Sequence, residues 1–204
     1  MYVKICGLRD PDHARHAVAA GADAVGVVMS PRSSRHASEH EAAAVVAAAG
    51  AVDTVLVVNR MPALEAAVIA RELGFAVLQL HGSYSPADFR AAERILPRVW
   101  RATSLADDAR LRAGAFGEER LLVDGATPGS GATWDLRQLR DAELGADWLL
   151  AGGLSPENVA AAIDAVRPGG VDVSSGVESA PGSKDPELIS RFIAAARRSD
   201  VTIK

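Results

Sequence analysis

Short apolar runs and helix signatures alternate along the whole chain, and this alternation limits the fold more than any other feature. The apolar runs are Val3–Ile5, Ala24–Met29, Thr54–Val58, Ala76–Leu80, Val99–Ala102, Leu121–Val123, Trp148–Leu150 and the stretch Val171–Gly176. Ala24–Met29 is almost unbroken, as expected of a strand buried on both faces. Helix signals fill the gaps. Asp10 caps a helix that starts at Pro11 and ends before Gly21, and Ser38 with Glu41 has capping-box spacing for a helix over Ser38–Gly50. Further helices are predicted at Pro62–Leu73, at Ser85–Leu96 with Pro86 in first position, and, short, at Asp107–Ala113. A weak helix over Asp135–Leu139, one from the Ser155-Pro156 cap to Val166, and one over Pro186–Arg198 with a basic last turn complete the set. Eight strand–helix units of about 25 residues without a linker predict an α/β protein, a single (β/α)8 TIM barrel domain over residues 1–204. An open doubly wound sheet would show a dinucleotide fingerprint after its first strand, and Cys6-Gly7-Leu8-Arg9 is not one. No motif repeats from unit to unit, which argues against a solenoid.

Composition narrows the function classes. The net charge is −4 and no basic patch is visible, so no nucleic-acid partner is expected. No apolar run has the length of a membrane span, and the Met1-Tyr2-Val3-Lys4-Ile5 start lacks a signal-peptide layout. The single cysteine excludes an internal disulfide framework. A cytoplasmic protein, monomer or homodimer, is the expectation. Aromatic residues make up only 4%, so Val, Leu, Ile and Ala must fill the core, and Trp134 and Trp148 read as packing residues.

Barrels of this kind work at the C-terminal ends of their strands. Those ends carry Cys6, Ser30 with the Arg32, Arg35 and His36 loop, Asn59 and Arg60, and His81 and Gly82. They continue with Arg101 and Thr103, Asp124, Gly152 and Gly153, and Asp172, Ser174, Ser175 and Gly176. Gly152-Gly153 after the seventh strand and Ser174-Ser175-Gly176 after the eighth form a phosphate-binding pair of loops: small residues admit the anion to backbone N–H groups. Gly-Gly alone reads first as a plain turn; the pair in adjacent units favours phosphate. Cys6 reads as a small buried apolar residue or as a base, with Lys4 on the same side of its strand. Asp124 closes an apolar strand with no helix following for about ten residues, which weakens the capping reading. Together Cys6 and Asp124 are placed to flank a substrate as base and acid. His13, His16 and His40 read as solvated helix-face residues. Neither His13/His16 nor His36/His40 has a visible third ligand, so no metal site is expected.

Four stretches in this order are together specific: Lys4-Ile5-Cys6-Gly7-Leu8, Gln79-Leu80-His81-Gly82, Leu150-Ala151-Gly152-Gly153-Leu154 and Gly170-Val171-Asp172-Val173-Ser174-Ser175-Gly176-Val177-Glu178. They resemble phosphoribosylanthranilate isomerase, the tryptophan-pathway (β/α)8 enzyme, from Val3 to about Ile193. The resemblance implies an Amadori rearrangement of N-(5′-phosphoribosyl)anthranilate to 1-(2-carboxyphenylamino)-1-deoxyribulose 5-phosphate, without cofactor or metal. It implies Cys6 as general base, Asp124 as general acid, Arg35 at the anthranilate carboxylate and Asp172 at a sugar hydroxyl. Gly153, Ser174 and Ser175 would bind the phosphate, with Gly152 and Gly176 permitting close approach. The chain departs from the family where a basic residue usually stands, at Ala132. Two alternatives are a histidine-pathway or dual-substrate phosphoribosyl isomerase, against which Cys6 argues because two aspartates usually run that chemistry, and a barrel that binds a sugar phosphate without turnover.

Overall fold

The computed structural model describes residues 1–104, 111–125, 136–139 and 144–201. Eight parallel strands close into a barrel in chain order: β1 (Tyr2–Cys6), β2 (Ala24–Val28), β3 (Asp53–Val58), β4 (Val77–His81), β5 (Val99–Ser104), β6 (Arg120–Asp124), β7 (Trp148–Leu150) and β8 (Gly170–Val173), with β8 returning to β1. The helices are α1 (Pro11–Ala19), α2 (Glu39–Ala48), α3 (Ala63–Glu72), α4 (Pro86–Glu93), α5 (Val159–Val166) and α6 (Pro186–Val201). A 3₁₀ turn over Ser175–Val177 and a two-stranded hairpin, β9 (Glu178–Ala180) and β10 (Ser183–Lys184), sit between β8 and α6. Among the described residues, no helix is long and apolar enough to cross a membrane.

The strands read as continuous apolar runs because both of their faces are buried. Outward residues such as Val3, Ile5, Leu78, Leu80, Leu121 and Val123 pack under the helices. Inward residues, among them Ala24, Val55, Val57, Val77, Trp100, Ala102, Leu122 and Leu149, fill the barrel. Trp148 is buried under the helices, as expected of a packing residue. The alternation also aims Tyr2, Lys4 and Cys6 of β1 inward, so a fully buried lysine shares the barrel with the thiol.

The helix starts follow the caps. Asp10 accepts the Asp12 N–H at 2.8 Å with Pro11 following, and Ser38 with Glu41 and Ser85 with Asp88 form reciprocal capping boxes. Four expected helices differ. The one predicted to run to Leu96 stops at Glu93, since Pro97 disfavours helical backbone at the residue before it. The one predicted to start at Ser155 starts at Val159, after Asn158. There the Asn158 side chain accepts the Ser155 N–H and donates to the Gly153 carbonyl, both at 2.8 Å, and so closes a turn first. Residues 111–113 are not helical; residues 107–110 lie outside the described residues, as do Ala132 and Trp134. Leu136–Leu139 is a 3₁₀ turn. His40 is exposed, as expected of a helix face, but the His16 ring lies 2.8 Å from Ser190 Oγ and ties α1 to α6.

Candidate active site

A cavity of about 820 Å³ opens at the C-terminal mouth of the barrel. Cys6 of β1, Asp124 of β6, Asp172 of β8 and Ser174 beyond it all line this cavity, as do Arg35 from the β2–α2 loop and His81 from the end of β4. The strand ends converge on it because inward positions repeat every second residue and the barrel narrows the space between them.

Cys6 is buried, and burial pushes its thiol up; the nearby Lys4 and Lys184 ammonium groups pull the other way, and Asp172 adds to the rise. Lys4 Nζ donates to Asp172 Oδ1 at 2.8 Å, with the lysine wholly inside the barrel. Burial alone would lower Lys4, but Asp172 and Cys6 outweigh it, so Lys4 is a permanent cation beneath the thiol. Asp124 is 8% exposed, and burial pushes its carboxyl up to about 6. The Gly125 N–H bonded to Oδ1 at 2.8 Å opposes that shift, and the Asp172 charge reinforces it. His81 Nε2 stands 4.0 Å from Asp124 Oδ2. The mouth therefore holds a carboxyl group that keeps its proton well above the usual carboxylate range, and a thiol beside a fixed cation.

The two small-residue loops adjoin one another. Gly152 has φ +83, and a Cβ there would lie 2.5 Å from Asp124 Oδ1 and 2.4 Å from the Gly125 nitrogen. A Cβ on Gly176 would lie 1.9 Å from the Leu154 carbonyl oxygen. Both glycines thus let backbone approach backbone: the loop after β7 lies on Asp124 on one side and on the 3₁₀ turn on the other. Within that turn the donors are the Val177 and Glu178 N–H groups, so the N–H groups of Ser175 and Gly176 at its head stand outside the ladder. Of the five phosphate candidates Ser174 lines this cavity, and Gly152, Gly153, Ser175 and Gly176 do not. Gly176→Ala must displace one of the two loops. It is expected to cost about 1–3 kcal/mol in a urea titration and to raise KM for a phosphorylated substrate more than it lowers kcat.

Three contributors escaped the sequence reading. Gln79 of β4 is 2% exposed, lines the cavity, and its Oε1 has no hydrogen-bond partner among the described residues. Its signal was a polar residue two positions before His81 in an apolar strand. Glu178 and Lys184 form a buried pair at 2.7 Å, and Glu178 also holds Arg35 through Nε–Oε1 and Nη2–Oε2 contacts of 2.7 and 2.9 Å. Burial would raise Glu178, but the hydrogen bonds from Arg35 and Lys184 carry it down to about 2. Nothing in the spacing signals an Arg35–Glu178 pair formed across most of the chain.

A family model for N-(5′-phosphoribosyl)anthranilate (PRA) isomerase matches residues 3–195. The N-(5′-phosphoribosyl)anthranilate isomerase of Rhodopseudomonas palustris (strain BisB5) is 43% identical, over 97% of this chain and 96% of its own. The crystal structure of TrpF from Jonesia denitrificans superposes with a TM-score of 0.87 at 49% identity, covering 98% of each chain. A phosphoribosyl anthranilate isomerase in complex with reduced 1-(o-carboxyphenylamino)-1-deoxyribulose 5-phosphate superposes with a TM-score of 0.82 at 35% identity, over 97% of this chain and 99% of that one. On this match the chain belongs to the N-(5′-phosphoribosyl)anthranilate isomerase family, the isomerases of tryptophan biosynthesis.

Proposed function

We propose that the cavity isomerises N-(5′-phosphoribosyl)anthranilate with Asp124 as general acid and Cys6 as general base. The observation that carries this reading is that the two side chains line one cavity, from strands on different sides of the barrel. Asp124 donates its proton to the furanose ring oxygen as the bond from that oxygen to C1 breaks, leaving an iminium at C1. Cys6, as thiolate, takes the proton from C2, and the iminium accepts the electron pair to give an enolamine. Loss of the proton from the C2 hydroxyl and protonation at C1 then give the ketone. Atoms and electrons balance within the substrate, so no redox partner enters. Positioned acids and bases of this kind contribute about 10²–10⁴ in rate each.

The remaining residues hold the substrate. The N–H groups of Gly153 and Ser175, with Ser174 beside them, suit a phosphate that does not react and whose binding energy restrains the opened sugar. Asp172 keeps one carboxylate oxygen on Lys4 and has the other available for a sugar hydroxyl. Arg35 meets the anthranilate carboxylate. The test is the loss of anthranilate fluorescence when the protein is given N-(5′-phosphoribosyl)anthranilate; absence of turnover under conditions that support a known isomerase would sink the assignment.

The pH profile follows from the same groups. Activity requires Asp124 protonated and Cys6 ionised, so kcat/KM rises with pH up to about 6, stays level, and falls only above the ordinary thiol range. Asp172→Asn removes a negative charge that raises Asp124 and is expected to move the acid limb to lower pH. An acid limb that stays in place in that variant would separate it from Asp124.

A further inference from the structure

We infer that Glu178 and Lys184 are positioning residues for the reaction: Glu178 occupies one edge of the Arg35 guanidinium so that its other edge is presented to the substrate carboxylate, and Lys184 ties this mount to the Ser174 loop. The inference rests on the reading of Arg35 given above and extends it to two residues that need not touch substrate. An arginine has two carboxylate-binding edges, Nε with Nη2 and Nη1 with Nη2. Glu178 takes the first edge with both of its oxygens. Arg35 still lines the cavity, so the edge it offers a ligand there is the second.

The fold builds this mount deliberately. The β9–β10 hairpin pairs Glu178 directly with Lys184, and the Gly182 N–H in its turn donates to Glu178 Oε2 at 3.1 Å. The Glu178 side chain is 4% exposed and that of Lys184 is 2% exposed. Lys184 Nζ also donates to the Ser174 carbonyl at 2.8 Å and lies 3.2 Å from its Oγ, and Ser174 Oγ donates to the Cys6 carbonyl at 3.1 Å. One chain of contacts thus runs from the carboxylate-reading arginine through the hairpin to the loop beside the phosphate site and on to the backbone of the base. A carboxylate that served only to neutralise a buried lysine would have no reason to span an arginine from the loop after β2. Lysine could not replace Arg35 here, because a single ammonium cannot serve Glu178 and the substrate in the same fork geometry.

The experiment compares two substrates, N-(5′-phosphoribosyl)anthranilate and its carboxyl-free counterpart N-(5′-phosphoribosyl)aniline, well below the unfolding temperature of each variant. Arg35→Met is expected to lose selectivity for the carboxylated substrate. Glu178→Gln is expected to lose about tenfold in kcat/KM on that substrate, mostly through KM, and little on the aniline. The double variant should be no worse than Arg35→Met alone. Arg35→Lys should be as poor as Arg35→Met, because Glu178 captures the ammonium, and adding Glu178→Gln to it should restore part of the selectivity. Arg35→Lys keeps Glu178 with its Lys184 partner and so keeps the idea testable if Glu178→Gln folds poorly: selectivity retained in Arg35→Lys would overturn it. Equal losses on both substrates, or multiplying losses in the double variant, would reduce Glu178 to a structural role and overturn the inference while leaving the Arg35 reading intact. If Arg35→Met keeps full selectivity, the reading of Arg35 falls and the inference with it.

Discussion

Asp124→Asn is expected to give a protein that is harder to unfold and nearly inert. The activity loss is that of a general acid, about 10²–10⁴ in kcat. The stability gain has a separate origin. Burial raises the folded-state pKa of Asp124 to about 6, whereas an unfolded aspartate titrates near 3.9. The folded chain therefore binds more protons than the unfolded chain between those two values, and stability falls as pH rises through that window. What Asp124 contributes is fully present below about pH 4 and lost above about pH 6; over roughly two pKa units this amounts to about 3 kcal/mol. Asparagine does not titrate, yet its Oδ1 still accepts the Gly125 N–H. The variant should match the wild type near pH 4 and exceed it by roughly 6–12 °C in Tm at pH 7–8, from a sensitivity of about 2–4 °C per kcal/mol at this chain length. A Tm difference that does not change with pH would show that the carboxyl is not held out of water. Normal turnover would remove Asp124 from the chemistry.

This coupling of lost activity to gained stability is the usual mark of a site kept strained for function. It was legible in the sequence only in outline. A carboxylate at the end of the apolar run Leu121–Val123 pointed to a working group, because a barrel gives that position to its mouth. The size of its shift depends on burial and on the charge of Asp172 two strands away, neither of which any spacing encodes. Lys4 and Cys6 were readable as neighbours because a strand repeats every two residues. The caps at Asp10, Ser38 and Ser85 were readable because each satisfies its own first turn. Ser155 was read one turn early: its Oγ accepts the Glu157 N–H at 3.3 Å as a cap would, but Asn158, bonded to the Ser155 N–H and the Gly153 carbonyl, closes a turn before the helix starts. The pairing of Arg35 with Glu178 and Lys184 lay beyond local reading, since it joins the loop after β2 to a hairpin after β8. The glycines at 152 and 176 suggested an anion cradle; the space they leave is taken at least partly by the neighbouring loop backbone.

Cys6→Ser should leave the fold unchanged and lower kcat by about 10²–10⁴. The hydroxyl is smaller than the thiol and fits the same buried position, so packing changes little. Its proton is far harder to remove than a thiol's, so the variant lacks an ionised base at any workable pH. Because Cys6 is the only cysteine, a thiol-alkylating reagent reports on it alone. The rate of alkylation against pH should place its ionisation above the ordinary thiol value of about 8.5, since burial outweighs Lys4 and Lys184. Lys4→Met removes the nearest compensating charge and should move that ionisation higher still. It also leaves Asp172 without its buried partner, at a stability cost on the order of 3–5 kcal/mol, so its ionisation must be measured at low temperature. Alkylation should stop activity in proportion to the thiol consumed, and saturating product should slow it by covering the cavity that Cys6 and Asp124 share. Full activity in Cys6→Ser, or in protein with its thiol fully alkylated, would leave the proton at C2 without its assigned acceptor and return the base to the other titratable groups of the mouth, Asp172 and His81.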